Sequence, residues 1–204
     1  MDKFNQKMSF IYLNKNKKTK YIFNAPGKYT VFFNNISGDY KFIIKSKGVD
    51  LDIFGIIIGK NENIFKINTD QIHDAPKSNS NLLIKGVLYD KSKFLFKGLI
   101  KIEKSGQKTR AYQKNQNLMM SDQAFVDTKP YLEILADDVF CTHGSTTGKI
   151  DKDTIYYLNS RSIDNKKSEN LIVSGFINEI MEILKLRISQ SEYLTIKKDI
   201  TNNL

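Results

Sequence analysis

The chain has 204 residues, a mass of 23.5 kDa and a formal net charge of +10, with 40% hydrophobic and 26% charged residues. That length holds one well-buried domain with at most a small appendage, and the even spread of apolar residues excludes global disorder. No run of about 18 apolar residues occurs, which argues against a membrane-spanning helix, and a single cysteine, Cys141, excludes an internal disulfide.

The opening residues, MDKFNQKMSFIYLNKNKKTK, put lysines on both sides of a brief apolar stretch and offer no small-residue cleavage site. They do not read as a secretory signal, and with the lone cysteine the expectation is a cytoplasmic protein. Residues 1–20 form a lead-in. From Tyr21 to about Ile150 the sequence consists of short apolar segments set off by Gly, Asn, Asp and Ser. Val49, Leu51 and Ile53 alternate with polar positions, as do Ile100 with Ile102 and Leu132 with Ile134, which is the period of a strand. The segments KFIIK, VDLDIF, IKGVLYD, FLFKGLIKIEK, NLMMSD and YLEILADDV follow one another with no helical spacing between them. A sandwich, a barrel or a solenoid is implied. No Asn-Gly or Asp-Gly pair sits between strands, which leans away from tight hairpins.

After Lys149 the pattern changes. Asp151 or Asp153 can cap a short helix carrying Ile155 and Leu158 on its apolar side. A second helix is expected from about Asp164 or Ser168 to about Ser189. On it Val173, Phe176, Ile177, Ile180, Ile183, Leu184 and Ile188 recur at three and four. That stripe suits packing on the chain's own domain or a face shared with another protein. The tail from Glu192 to Leu204 reads as polar and frayed. The chain thus divides into a lead-in (1–20), a strand-rich core (21–150) and a C-terminal helical subdomain with its tail (151–204).

The positive charge is almost all lysine, with arginine only at Arg110, Arg161 and Arg187. Base and phosphate recognition favours the arginine fork, so a solvated lysine surface is the reading, and a basic nucleic-acid-binding module is a weaker alternative. No Gly-rich phosphate loop, nucleophile elbow or zinc-binding helix motif occurs, and no nucleotide is expected on this chain. His73 has no partner near it in sequence and reads as structural. Asp137 and Asp138 read as turn residues ahead of the last strand.

Cys141 and His143 are two apart, so in a strand they project from one face while Thr142 projects from the other. A thiolate beside an imidazole is half a site for iron or zinc. Clusters and structural zinc take about four ligands, and no second cysteine exists, so the rest must come from elsewhere. The plainer reading is a small buried thiol and a satisfied histidine. A Cys–His nucleophile is disfavoured, because a same-face pair in a strand is poor geometry for base activation.

The stretch SDQAFVDTKPYLEILADDVFCTHGSTTGKID, residues 121–151, resembles the shared core of the SufB and SufD proteins, scaffold subunits of the Suf iron–sulfur assembly system. Flanking segments HDAPKSNSNLLIKGVLYD and YYLNSRSIDNKKSENLIVSGFINEIME are similar to the family's as well, with Ser162 where a glycine is usual. Members of the SufB branch carry glutamate after the histidine; Gly144 here resembles the SufD branch.

The resemblance implies a right-handed parallel β-helix with a short C-terminal α-helical subdomain, acting as a non-catalytic scaffold. It implies pairing with a SufB-like subunit through β-helix ends, and docking of a SufC-like ABC ATPase on the helical segment, with Phe176, Glu179 and Ile180 as candidate contacts. Cys141 and His143 would face transient iron or a nascent iron–sulfur cluster shared with the partner. A SufB-like subunit of a minimal homodimeric scaffold is the alternative, and a homodimer is possible in isolation. Family members commonly carry a longer N-terminal region than the one seen here.

Overall fold

The computed structural model describes residues 8–204; residues 1–7 of the lead-in lie outside the described residues. All ladders between its strands are parallel, and the strands fall into two sheets. Sheet A stacks β1 (Met8–Tyr12), β3 (Gly27–Asn34), β5 (Val49–Gly59), β7 (Asn79–Leu88), β9 (Arg110–Met119) and β11 (Phe140–Lys149) in that order. Sheet B stacks β2 (Lys20–Phe23), β4 (Gly38–Ile44), β6 (Ile64–His73), β8 (Lys93–Ile102) and β10 (Phe125–Ile134). Since consecutive strands alternate between sheets, each turn of the chain lays one strand on each, and the coil is a β-solenoid. Asp50 aligns with Asn79, Asn79 with Arg110 and Arg110 with Phe140, a repeat close to thirty residues. The parallel β-helix expected from the sequence is the fold found. Its first strand lies inside the lead-in, because β1 already pairs with β3.

Corners set this geometry. Asn35, Asn61 and Asp90 take φ of 47°, 54° and 50°, left-handed positions that short amide and carboxylate side chains tolerate best after glycine. The interior of the lower rungs is apolar: Phe33, Phe42, Ile44, Leu51, Ile53, Ile57, Ile67 and Leu82 are buried together. Each such side chain contributes about 1.5–3 kcal/mol on burial.

In β5 the alternation of VDLD gives way to the continuous apolar run IFGIII, because both faces of that half of the strand are covered. Outward Phe54, Ile56 and Ile58, with Leu83 and Val87 of β7, lie beneath two helices, α2 (Asn165–Arg187) and α3 (Gln190–Thr201). A shorter helix, α1 (Lys152–Asn159), precedes them, with the Asp151 side chain accepting from the Asp153 and Thr154 amides. Asp164 caps α2 by accepting from the Lys167 amide. The α2 stripe therefore packs on the chain's own solenoid. Between α1 and α2, Ser162 holds φ +63°, the region a glycine enters without strain.

The tail does not fray. Ser189 and Glu192 form a reciprocal capping box that starts α3, and Tyr193, Ile196 and Ile200 are buried against the sheet A face. Three apolar residues at helical spacing among polar ones made a narrow stripe that average polarity concealed.

Candidate functional site

The solenoid interior changes character along its axis. On sheet A the inward positions of β7 are Ser80, Leu82, Ile84, Gly86 and Leu88, those of β9 are Ala111, Gln113, Asn115 and Asn117, and those of β11 are Cys141, His143, Ser145 and Thr147. The column under His143 runs Val31, Ile53, Leu82, Gln113, from oil to amide. Buried amides need partners, and these largely have them. Asn117 Nδ2 donates to Asn115 Oδ1 at 2.7 Å and reaches Thr147 Oγ1 at 3.3 Å, while Asn115 Nδ2 reaches the Ile84 carbonyl at 3.3 Å. Gln113 fits because Gly98 opposes it: a Cβ there would fall 2.3 Å from Gln113 Oε1. Thr69 Oγ1 and Gln71 Oε1, both deep in the core, have no partner among the described residues.

The last rung, β10 with β11, has a neighbour on one side only. Cys141 stands above Ala111 and His143 above Gln113, so the two share the inward face, as their spacing requires. Across the coil Thr128 Oγ1 and Ser145 Oγ lie 2.6 Å apart and tie β10 to β11. The Phe140 amide bonds down to the Thr109 carbonyl. In a parallel ladder the next residues alternate, so the backbone groups of Cys141, His143, Ser145 and Thr147 face the open edge. On β10 the Phe125 and Leu135 amides bond down to Ser92 and Ile102. Pro130 therefore falls at an upward position, where its missing N–H costs no ladder bond and removes one donor from the edge. Phe125, Tyr131, Leu132, Ile134, Leu135 and Phe140 are exposed around this rung.

His143 is exposed and Cys141 half-buried. The thiol packs on a small apolar cluster of Ile100, Ile102, Ala111, Ala136 and Val139, and burial pushes its pKa up to about 11. The chain alone thus presents a protonated thiol at neutral pH, and a metal taking this ligand must displace its proton. Iodoacetamide at pH 7.5 is expected to label Cys141 about 100-fold more slowly in the native chain than in urea, the two-unit difference in thiolate fraction. The native rate should still climb between pH 9 and 10; equal native and unfolded rates would refute the apolar setting.

Among the described residues no group of three or more His, Cys, Asp or Glu is arranged to hold a metal. The terminal rung offers two donors of the right softness for iron and lacks the remainder of a shell. Asp137 and Asp138 lie in the bend before β11. His73 lies below the terminal rung, enclosed in the core with Nδ1 2.8 Å from Ser78 Oγ and Nε2 2.8 Å from Ser80 Oγ.

Of the three candidate partner contacts, Ile180 is fully buried on the side of α2 that faces sheet A and is not at the surface. Phe176 and Glu179 are engaged with Lys85 of β7: its Nζ is 2.6 Å from the Phe176 carbonyl, 2.5 Å from Glu179 Oε2 and 4.4 Å from the Phe176 ring centroid. The exposed apolar groups of the helical segment include Tyr156 (76% exposed), Tyr157 and Leu171 (54%) on α1 and the first half of α2, with Leu186 and Leu194 further along, and the stripe argument passed over all of them. Gln113, Asn115, Thr128 and Ser145 also escaped the sequence reading. Their signal was the run AYQKNQN, a strand whose inward positions are amides rather than hydrocarbons. No helix among the described residues is long and apolar enough to cross a membrane.

The family described as "SUF system FeS cluster assembly, SufBD core domain" matches residues 31–176. The iron–sulfur cluster assembly protein SufD of Escherichia coli is 42% identical over 113 residues, 55% of this chain and 27% of that protein. SufD of Bacillus subtilis is 33% identical over 131 residues, 64% of the chain and 30% of the relative. A SufBD family protein of Synechocystis is 33% identical over 111 residues, covering 54% and 24%. The chain spans less than a third of the length of each of these relatives.

Proposed function

Because the chain belongs to the SufB/SufD family as a SufD-type member, we propose that it is a scaffold subunit of iron–sulfur cluster assembly. In this reading its open rung joins the end of a SufB-like sister subunit, and Cys141 and His143 present a partial ligand set to incoming iron or a nascent cluster at the joint. The cluster is cargo. The chain's own part is structural: it supplies a thiol and an imidazole on one face of a terminal strand and leaves the remaining ligands to the partner.

The observation that carries the reading is the terminal rung itself. Two metal-type donors, the two further inward polar side chains Ser145 and Thr147, and a row of upward-facing backbone groups coincide on one edge strand, ringed by exposed aromatic and aliphatic residues. A free edge of that kind is a template for another strand. Hydrolysis of ATP falls to a SufC-like ABC ATPase, with Tyr156, Tyr157 and Leu171 as the docking face in place of buried Ile180.

The test is co-expression with SufB-like and SufC-like subunits and anaerobic purification of wild type, Cys141→Ala and His143→Ala. The expected result is an intact complex from His143→Ala with most of its iron and sulfide lost, and a smaller loss from Cys141→Ala, whose protonated thiol is the weaker donor. Unchanged iron and sulfide in both variants would end the proposed ligand role. Failure of the wild-type subunits to copurify would end the pairing.

A further inference from the structure

Helix α2 is 23 residues long and unevenly anchored. Four of its six buried residues, Ile177, Ile180, Met181 and Leu184, lie in the second half, while the first half buries Ser168 and, against sheet A, Val173 alone. Both charged clamps lie in the second half too: Lys85 holds the Phe176 carbonyl and Glu179, and Arg187 pairs with Asp52 of β5. Apart from Val173, the first half is tied to α1. Ser168 Oγ is 3.4 Å from Asn159 Oδ1 and 3.4 Å from the Ile163 carbonyl, and Asn159 Nδ2 donates to Asn165 Oδ1 at 2.6 Å. Helix α1 buries no residue of its own.

Between the anchored and unanchored halves stand Ser174 and Gly175. Glycine inside a helix costs about 1 kcal/mol against alanine and is commonly kept to let another group approach closely. Here nothing in the chain approaches: a Cβ built on Gly175 meets no atom within 4 Å. The residue therefore loosens the helix with no packing return. Under the first half, an open cleft lined by Met119, Met120, Asp122, Lys149 and Glu169 separates it from the corner where β9 and β11 end. Paired Ser and Gly residues are a recognised site of helix bending.

We propose that Ser174–Gly175 is a hinge, and that α1 with the first half of α2 is an arm that swings over the terminal rung while the second half stays clamped to sheet A. The hinge stands on this chain alone. Its use, to carry the exposed Tyr156, Tyr157 and Leu171 towards a partner relative to the Cys141 edge, rests on the docking reading.

Hydrogen exchange on the full chain tests it. Amides of residues 169–173 are expected to exchange at least tenfold faster than those of residues 177–184. Gly175→Ala, sterically free and helix-favouring, is expected to slow exchange in the first half about fivefold, the factor to which its helix preference converts, with the strands unchanged. Equal exchange in the two halves, or an unaltered difference in Gly175→Ala, overturns the hinge. So does a Gly175→Ala chain with unaltered exchange that no longer binds the SufC-like subunit, because the glycine would then serve close approach by the partner. The exchange result is readable even where no partner binds, so the hinge and the docking reading fail separately.

Discussion

Glu179→Ala is expected to destabilise the fold by about 2–3 kcal/mol, whereas Lys85→Met is expected to cost less than about 1 kcal/mol, although the two substitutions break the same ion pair. The asymmetry comes from where each charge sits. Lys85 is 3% exposed, on the outward face of β7 between Leu83 and Val87 and beneath α2. Glu179 is half-exposed at the helix surface. Removing the carboxylate leaves an ammonium in an apolar layer with one carbonyl and one ring face for company, and an uncompensated buried charge is the costly case. Removing the ammonium leaves a carboxylate that water already reaches, while methionine keeps the packing of the lysine stem. Urea midpoints at constant m measure both. Adding Glu179→Ala to the Lys85→Met chain should then cost almost nothing. Equal losses from the two single substitutions would mean that water reaches the Lys85 amine.

This pair also shows why the sequence pointed elsewhere for Glu179. On a helical wheel it lies away from the apolar stripe, which suits a solvent or partner contact, and nothing local says that a strand nearly a hundred residues earlier offers a lysine beneath it. The apolar stripe itself was legible because Val173, Ile177, Ile180 and Leu184 keep helical spacing. What it packs against was not, since β5 shows two-faced burial only as a run, IFGIII, that a buried helix shares.

Strands with hydrocarbon on their inward face, such as β5 and β8, could be read directly. Strands β6, β9 and β11 could not be found by apolar alternation, because their inward positions include Thr69, Gln71 and His73, then Gln113, Asn115 and Asn117, then Cys141, His143, Ser145 and Thr147. The thirty-residue repeat was hidden for the same reason: equivalent positions on successive rungs keep their shape and place but change from isoleucine to amide to imidazole. At the site, the spacing of Cys141 and His143 fixed their common face, and the lack of further cysteines fixed the incompleteness of the shell. That the thiol rests on Ile100, Ile102 and Ala136 required the coil to be closed.

His73 should make the protein acid-sensitive well before its carboxylates do. Enclosed between Ser78 and Ser80, the imidazole has its pKa lowered by burial from 6.5 to about 4. In the unfolded chain it takes a proton as pH falls through 6.5, and in the folded chain it does not until about 4. The unfolded state binds more protons across that window, so stability is complete above pH 6.5 and is lost as pH falls towards 4. The loss is about 2 kcal/mol at pH 5 and approaches about 3 kcal/mol below pH 4. His73→Gln removes the titration, whatever it does to stability at pH 7.5, and His143 is present in both chains and cancels in the difference. Urea unfolding of the two proteins at pH 7.5, 6 and 5 should therefore show the wild type falling faster, by about 2 kcal/mol more than the variant between pH 7.5 and 5. Curves that stay parallel would mean that the native imidazole accepts the proton, which requires the two serines to part and admit water into the rung two strands below Cys141.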